Sequence, residues 1–260
     1  MASSYEVTEY GTLARFVAMT ASRDQKILFI FGRAGIGKTT LVEKLIPRGS
    51  DNVLWITGHE TQADFYCKLY DNPRALIVID DVDKTKHLTS LLKMAANGED
   101  NDVQFNTTSH VLGEREQRFV GNHAFILIGN TEEKLNDDLK AVRDRGVAVR
   151  FNPHLQTVVA KMKEFCEDSE IYDFLSQSSA NIDFSLRIYR TCEGMKEHGI
   201  DWKDYVRKVY GVKEDEKALL EELSLMSDVT ERNKVWINRT GKTPRRLQQL
   251  LKERKTGGRP

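Results

Sequence analysis

Short apolar runs alternate with amphipathic segments over residues 26–151 of the chain. The runs are rich in Ile, Leu, Val and Phe and show little polar alternation, which is typical of strands buried on both faces of a parallel sheet. The segments between them carry apolar residues at helical spacing. The predicted strands are Lys26–Gly32, Asn52–Thr57, Ala75–Asp80, Ala124–Gly129 and Gly146–Phe151. The predicted helices are Lys38–Ile46, Gln62–Leu69, Leu88–Ala96 and Glu132–Val142, the last with Thr131 as its N-cap.

Downstream of Pro153 the pattern becomes entirely helical. The predicted helices are Thr157–Cys166, Ile171–Gln177, Phe184–Glu197, Asp201–Tyr210, Glu214–Leu225, Glu231–Asn238 and Thr243–Lys255. A glycine turn separates the last two, which with the preceding helix resemble a small helix-turn-helix unit. The prediction is therefore an α/β chain: a five-stranded parallel sheet with helices on both faces in residues 1–153, a helical domain in 154–211, and a helix-turn-helix-like unit in 212–260.

Composition narrows the classes of protein. With 260 residues, 40% of them hydrophobic and 30% charged, the chain can bury a large core and does not have the composition of a disordered protein. Cys67, Cys166 and Cys192 lie far apart, without the spacing of metal ligands. The N-terminus lacks the pattern of a secretory signal, and no apolar run approaches the ~18 residues of a membrane span. We therefore expect a cytoplasmic protein without membrane association.

A glycine-rich sequence joins the first predicted strand to the first predicted helix. Gly32–Thr39, GRAGIGKT, fits the pattern GxxxxGK[ST] in the strand–loop–helix setting that this motif requires. Its glycines let backbone N–H groups turn toward phosphate oxygens, the lysine reaches the terminal phosphates, and the threonine hydroxyl can bind Mg²⁺. The predicted nucleotide-binding residues are Gly32, Arg33, Ala34, Gly35, Ile36, Gly37, Lys38, Thr39 and Thr40.

Polar side chains follow two further predicted strands. Asp80 and Asp81 end the apolar run that begins at Ala75, at the carboxyl edge where open parallel sheets bind ligands. We expect Asp80, with Thr39, to hold Mg²⁺ and Asp81 to polarise the attacking water. Asn130 ends the next buried run, where its amide can orient that water.

In this order, GRAGIGKT, ALIVIDD and FILIGN resemble the Walker A, Walker B and sensor 1 motifs of the AAA+ ATPase superfamily. The resemblance covers residues 28–210 and implies a five-stranded parallel sheet followed by a helical lid. It also implies ATP and Mg²⁺ as cofactors and assembly into a homo-oligomer, either a hexamer or an open ring or filament. Asp81 stands where many members have Glu, so slow hydrolysis or a nucleotide-gated switch is consistent with this sequence.

Two more segments resemble functional parts of that superfamily. Leu139–Arg145 is similar to the arginine-finger segment, which reaches the neighbouring subunit's site; Arg145 is the first candidate and Arg143 the second. Asp183–Arg187 is similar to the sensor 2 segment, which would place Arg187 over the phosphates of its own nucleotide. An ordinary surface role stays open for each arginine, because most arginines of a highly charged chain are solvated.

Charge is concentrated at the C-terminus, although the whole chain balances 39 Lys and Arg against 39 Asp and Glu. Residues 232–260 hold ten basic side chains against Glu253 alone. Pro244 suits the first turn of the last helix, and its leucines share one face. The residues predicted to contact DNA are Lys242, Arg245, Arg246, Gln249 and Lys252. The alternative is a basic helix that docks on the acidic remainder or on a neighbouring subunit.

These features predict a DNA-associated AAA+ ATPase that binds and hydrolyses ATP as an oligomer to remodel DNA or a partner protein. Its order of motifs and its looser similarity to compact ATPases of phages and plasmids suggest a helicase loader, or a replication or mobile-element accessory protein. The expected partners are ATP, ADP, DNA, and a helicase or another replication or recombination protein. The alternatives are a non-DNA protein-remodelling or switch ATPase, or a P-loop small-molecule kinase.

Overall fold

The five predicted strands form one parallel sheet in the computed structural model, and a sixth strand extends it. The structure describes residues 4–57, 60–97, 101–107, 110–178, 184–212, 216–240 and 242–255. Its strands are β1 (Tyr5–Val7), β2 (Ile27–Phe31), β3 (Val53–Thr57), β4 (Leu76–Asp80), β5 (Asn101–Gln104), β6 (Arg118–Gly121), β7 (Ala124–Gly129) and β8 (Val147–Phe151). Its α-helices are α1 (Tyr10–Ala21), α2 (Lys38–Leu45), α3 (Gln62–Asp71), α4 (Thr89–Ala95), α5 (Asp137–Arg143), α6 (Leu155–Met162), α7 (Ser169–Gln177), α8 (Leu186–Glu197), α9 (Trp202–Tyr210), α10 (Glu216–Ser224), α11 (Val229–Thr240) and α12 (Pro244–Lys255).

The strand order is β1-β8-β2-β7-β4-β3, and every neighbouring pair is parallel. Phe31, the last residue of β2, pairs with Gly129, the last of β7, and Asp80 of β4 pairs with Ile128. Three strands therefore end together at one edge, directly before the three predicted motifs. This is the edge at which parallel sheets bind ligands.

The central strands β2 and β7 are buried along their whole length. On one face of the sheet, Phe29, Ile77 and Phe125 belong to a large cluster that includes Phe65 and Leu69 of α3. Helix α1 packs against β2, β7 and α2. Burial on both faces explains why these strands are continuous apolar runs.

Two parts of the fold were not predicted from the sequence. β1 and α1 precede the first predicted strand, and β1 joins the sheet edge by pairing with β8. β5 and β6 form a separate antiparallel hairpin inserted between α4 and β7. The hairpin packs on α3 through aromatic contacts of Phe119 with Tyr66 and Tyr70.

The prediction for the helix after β7 was wrong at its N-terminus. The helix begins at Asp137 rather than Glu132, and the Asn136 side chain, not Thr131, caps it by accepting a hydrogen bond of 2.9 Å from the Leu139 N–H. Asn136 is favoured because its amide oxygen can reach the free N–H groups of the first turn. Thr131 instead lies in the preceding turn.

The chain forms two compact units, Met1–Phe165 and Cys166–Pro260. Helix α6, predicted to begin the helical domain, lies in the first unit. Within the second unit, α10, α11 and α12 share a small core of Leu219, Leu223, Trp236 and Leu247. In the described ranges, no helix is long and apolar enough to cross a bilayer.

Candidate nucleotide-binding site

The glycine-rich loop joins β2 to α2 at the carboxyl edge of the sheet. A side chain at Gly32 would place its Cβ 2.4 Å from the carbonyl oxygen of Phe151, so the close approach of the two segments requires glycine. Gly35 and Gly37 have φ angles of 80° and 81°, the left-handed region that favours glycine. The buried Ile36 side chain anchors the loop from below. Gly37 is also the N-cap of α2, so the loop leads directly into a helix N-terminus suited to phosphate.

Lys38 is the buried cation of this loop, with 7% of its surface exposed. Its Nζ donates hydrogen bonds of 2.6 Å and 2.8 Å to the carbonyl oxygens of Gly32 and Arg33. Burial lowers the pKa of Lys38 to about 8, and the negative charges of Asp80 and Asp81 only partly oppose that shift. An anion bound at the loop would restore the charged form, because it replaces lost solvation with an opposite charge.

Thr39 and Asp80 meet at the end of the loop. The Thr39 hydroxyl donates a hydrogen bond of 3.1 Å to Asp80 Oδ1. Neighbouring oxygens around Mg²⁺ lie about 3 Å apart when the bonds are 2.0–2.1 Å and octahedral, so this pair fits the ion that the motif implies. Burial raises the pKa of Asp80, the Thr39 hydrogen bond opposes this shift, and the charge of Asp81 adds to it.

Asp81 adopts a backbone conformation that is uncommon outside glycine, with φ 59° and ψ 58°. Such a conformation costs about 1 kcal/mol or more and often marks a functional position. Its side chain is half exposed, and Oδ2 accepts a hydrogen bond of 2.8 Å from Lys84 Nζ. The two adjacent carboxylates therefore have different partners: Asp80 contacts the loop threonine and Asp81 contacts a lysine outside the loop.

Asn130 lies exposed directly beyond β7. Together with Gly32, Arg33 and Glu132 it lines a cavity of about 280 Å³. The structure thus brings the predicted loop, both aspartates and the amide to one edge of the sheet. Arg33 and Ala34 are exposed on the loop, and Thr40 is half-buried on α2.

The two arginine-finger candidates occupy different environments. Arg143 is buried, and its guanidinium is paired with Glu132 at 3.6 Å and with Asp144 at 2.8 Å. Arg145 is exposed, donates to the Ala141 carbonyl oxygen, and lies near Ile27 at the start of β2. The loop follows the other end of that strand, about 15 Å away at the usual rise per residue. Arg145 is therefore remote from its own loop and available to another molecule, whereas Arg143 is committed within its own chain.

Arg187, the predicted sensor 2 residue, is exposed on α8 in the second unit. Asp183, the first residue of that segment, lies outside the described residues. The hydroxyl of Thr191 donates to the Arg187 carbonyl oxygen within the helix. The first unit by itself does not contain this arginine.

The predicted DNA-contact residues lie on the outer surface of the three-helix core. Helix α12 begins at Pro244, as predicted, and Leu247 is buried against Trp236. The Trp236 Nε1–H donates to the Thr243 carbonyl oxygen, which fixes the start of α12 against α11. The five side chains Lys242, Arg245, Arg246, Gln249 and Lys252 are all exposed. Gly241, in the predicted turn, lies outside the described residues.

Two residues near the loop were missed by the sequence analysis. Tyr10, the first residue of α1, donates its hydroxyl to the Ile36 carbonyl oxygen. Lys84 pairs with Asp81. The helical spacing of the buried Tyr10, Leu13 and Val17 could have revealed α1, but no local pattern indicates which loop atom the tyrosine contacts.

Comparison with solved structures identifies the fold. Domain III of the replication initiation protein DnaA from Thermotoga maritima aligns with a TM-score of 0.50 at 16% identity, over 78% of this chain and 91% of that one. A RuvB variant from Thermotoga maritima aligns with a TM-score of 0.50 at 12% identity, over 86% of this chain and 80% of that one. Both are AAA+ ATPases, and the chain has the AAA+ fold. No protein-family profile and no curated protein matches the sequence.

Proposed function

We propose that this protein binds and hydrolyses ATP as a DNA-associated AAA+ oligomer. One observation carries the proposal: the buried Lys38 ammonium lies on a glycine-rich loop beside the Thr39–Asp80 oxygen pair. A buried cation held only by backbone carbonyls has lost solvation that phosphate oxygens would replace. The adjacent oxygen pair supplies the place for the Mg²⁺ that accompanies a nucleotide.

The chain's own groups account for a hydrolysis reaction. Lys38 and the loop N–H groups would hold the terminal phosphates, and Mg²⁺, when bound by Thr39 and Asp80, would neutralise charge on them. Asp81 would accept a hydrogen bond from the attacking water, with Asn130 orienting that water. Arg145 of a neighbouring copy would supply positive charge to the transferring phosphoryl group, and Arg187 would act from the helical lid.

The nucleotide part is tested with Lys38→Ala and Lys44→Ala. Both lysines lie on α2, but Lys44 is exposed and pairs only with Glu164 at the surface. We expect Lys38→Ala to weaken ATP binding by at least tenfold and to abolish hydrolysis, while Lys44→Ala retains both. Equal ATP affinity of the wild type and Lys38→Ala would refute the site.

The DNA part rests on the exposed basic surface of the three-helix core. Arg245→Ala/Arg246→Ala should lower DNA affinity and reduce the salt dependence by about 0.9 per lost phosphate contact on duplex, or about 0.7 on single strands. Arg190→Ala/Lys208→Ala removes two exposed cations from the same unit and serves as the matched control. DNA affinity unchanged in the first pair would favour an acidic protein partner instead.

A nucleotide-gated switch is the second candidate, because Asp81 is paired with Lys84 and not with the loop. A switch would bind ATP tightly and hydrolyse it slowly until a partner changed that pairing. Measuring phosphate release with and without DNA separates the candidates. Stimulation by DNA supports the motor, whereas slow release indifferent to DNA supports the switch. Transfer of phosphate to an acceptor other than water would indicate a kinase.

A further inference from the structure

Tyr10 connects the start of α1 to the glycine-rich loop, although it lies 22 residues before the loop and outside every motif. The residue is 6% exposed, and its hydroxyl donates a buried hydrogen bond of 2.7 Å to the carbonyl oxygen of Ile36. Its ring also comes close to the loop, since a Cβ on Gly37 would lie 4.0 Å from it. The tyrosine therefore contacts the peptide unit between Ile36 and Gly37.

This peptide unit needs an external restraint. Ile36 stands between Gly35 and Gly37, both with positive φ angles. Glycine crosses between backbone regions at little steric cost, so the loop sequence alone fixes the orientation of the peptide plane weakly. Because a trans peptide is planar, its C=O and N–H point in opposite directions. A hydrogen bond that holds the Ile36 carbonyl on the α1 side therefore turns the Gly37 N–H to the opposite side, the side on which a phosphate-binding loop needs its donors.

The surroundings keep Tyr10 in place as a donor. Its ring packs edge-on against Phe151 at a centroid distance of 4.9 Å, and Lys161 Nζ lies 5.8 Å from the ring centroid. Burial raises the pKa of Tyr10 to about 12, and the positive charge of Arg33 opposes this shift. The hydroxyl therefore remains protonated, and able to donate, throughout the pH range of nucleotide binding.

We propose that Tyr10 is a positioning residue of the nucleotide site, which holds the Ile36 carbonyl so that the Gly37 N–H faces the phosphates. The inference rests on the proposed nucleotide binding and adds a residue to it. Tyr10 acts through the loop and is not assigned contact with the reacting atoms, so its loss should change affinity rather than the chemical step.

The test compares Tyr10→Phe with Tyr66→Phe. Each removes one tyrosine hydroxyl that donates to a backbone carbonyl oxygen in the first unit; Tyr66 donates to Glu116 at 2.8 Å. We expect similar, small decreases in Tm for both variants. Only Tyr10→Phe should weaken ATP and ADP binding, by about three- to tenfold, as for one lost hydrogen bond. KM for ATP should rise by the same factor while kcat stays near the wild-type value.

The outcomes separate this inference from the proposed function. If the wild type binds ATP and Tyr10→Phe binds it equally well, Tyr10 does not position the loop. Equal losses of affinity in both tyrosine variants would also overturn the inference, because a general loss of stability would then explain them. Failure of the wild type itself to bind ATP would overturn the proposed nucleotide site and this inference with it.

Discussion

At the scale of single residues, burial of Lys38 predicts how nucleotide affinity depends on pH. The pKa of the free side chain is lowered to about 8, and bound phosphates would raise it. Binding is therefore strongest below pH 8, where the lysine is already charged, and must take up a proton above pH 8. We expect the Kd for ATP to rise toward tenfold per pH unit between pH 8 and 10. Titration calorimetry at several pH values checks this, with circular dichroism to confirm folding; a flat profile would contradict the lowered pKa.

Lys84 predicts a second effect at this scale. Its contact with Asp81 keeps the carboxylate from a water molecule near the phosphates. An exposed ion pair contributes about 0.2–1 kcal/mol, so Lys84→Ala should raise kcat by at most about fivefold. Lys86→Ala, at an exposed lysine in the same 3-10 helix, is the matched control and should leave kcat unchanged. Slower hydrolysis by Lys84→Ala would show that Lys84 assists the reaction instead.

At the scale of elements, continuous burial explains which parts of the fold the sequence predicts. β2, β4 and β7 match their predicted ranges closely because both faces are buried and the apolar runs are unbroken. β1 has three residues with one buried side chain, too few to form a pattern. Helix α1 lacks a side-chain N-cap and charged end residues, so only its apolar spacing indicates it. The site motifs were predictable because their chemistry is local, whereas the contacts of Tyr10, Lys84 and Arg143 depend on tertiary packing.

Arg143 gives a prediction for helix α5. Its buried guanidinium links the end of the helix to Glu132, which also accepts from Ser4 and lies 3.7 Å from Arg150. Arg143→Ala leaves part of that carboxylate's charge unpaired, so the free energy of unfolding should fall by about 1–3 kcal/mol. Arg145→Ala, at the exposed arginine two residues away, should leave stability unchanged. Urea unfolding of both variants checks this; equal stabilities would mean that the ion pair contributes nothing.

At the scale of the whole molecule, activities are divided between surfaces that one copy does not bring together. Arg145 lies at the start of β2, and the glycine-rich loop follows the end of that strand. A finger role for Arg145 therefore requires a second copy. The basic side chains of α12 belong to the second compact unit, while the loop belongs to the first. Hydrolysis per molecule should accordingly rise with protein concentration if the arginine acts between copies.

Mixing two inactive variants tests this directly. Asp81→Asn keeps Arg145 but lacks the carboxylate proposed to polarise water, and Arg145→Ala keeps a complete loop but lacks the finger. Each alone should bind ATP and hydrolyse little, because a finger contributes about 10³–10⁵ in kcat in other phosphate-loop enzymes. In a mixture, Arg145 from an Asp81→Asn copy can enter the intact site of an Arg145→Ala copy, so activity should exceed the sum of the two variants. Recovery should be greatest near equal proportions and vanish on dilution. Activity of Arg145→Ala equal to the wild type would exclude the finger role, while activity in the mixture no greater than the sum would mean that the arginine acts within its own chain or not at all.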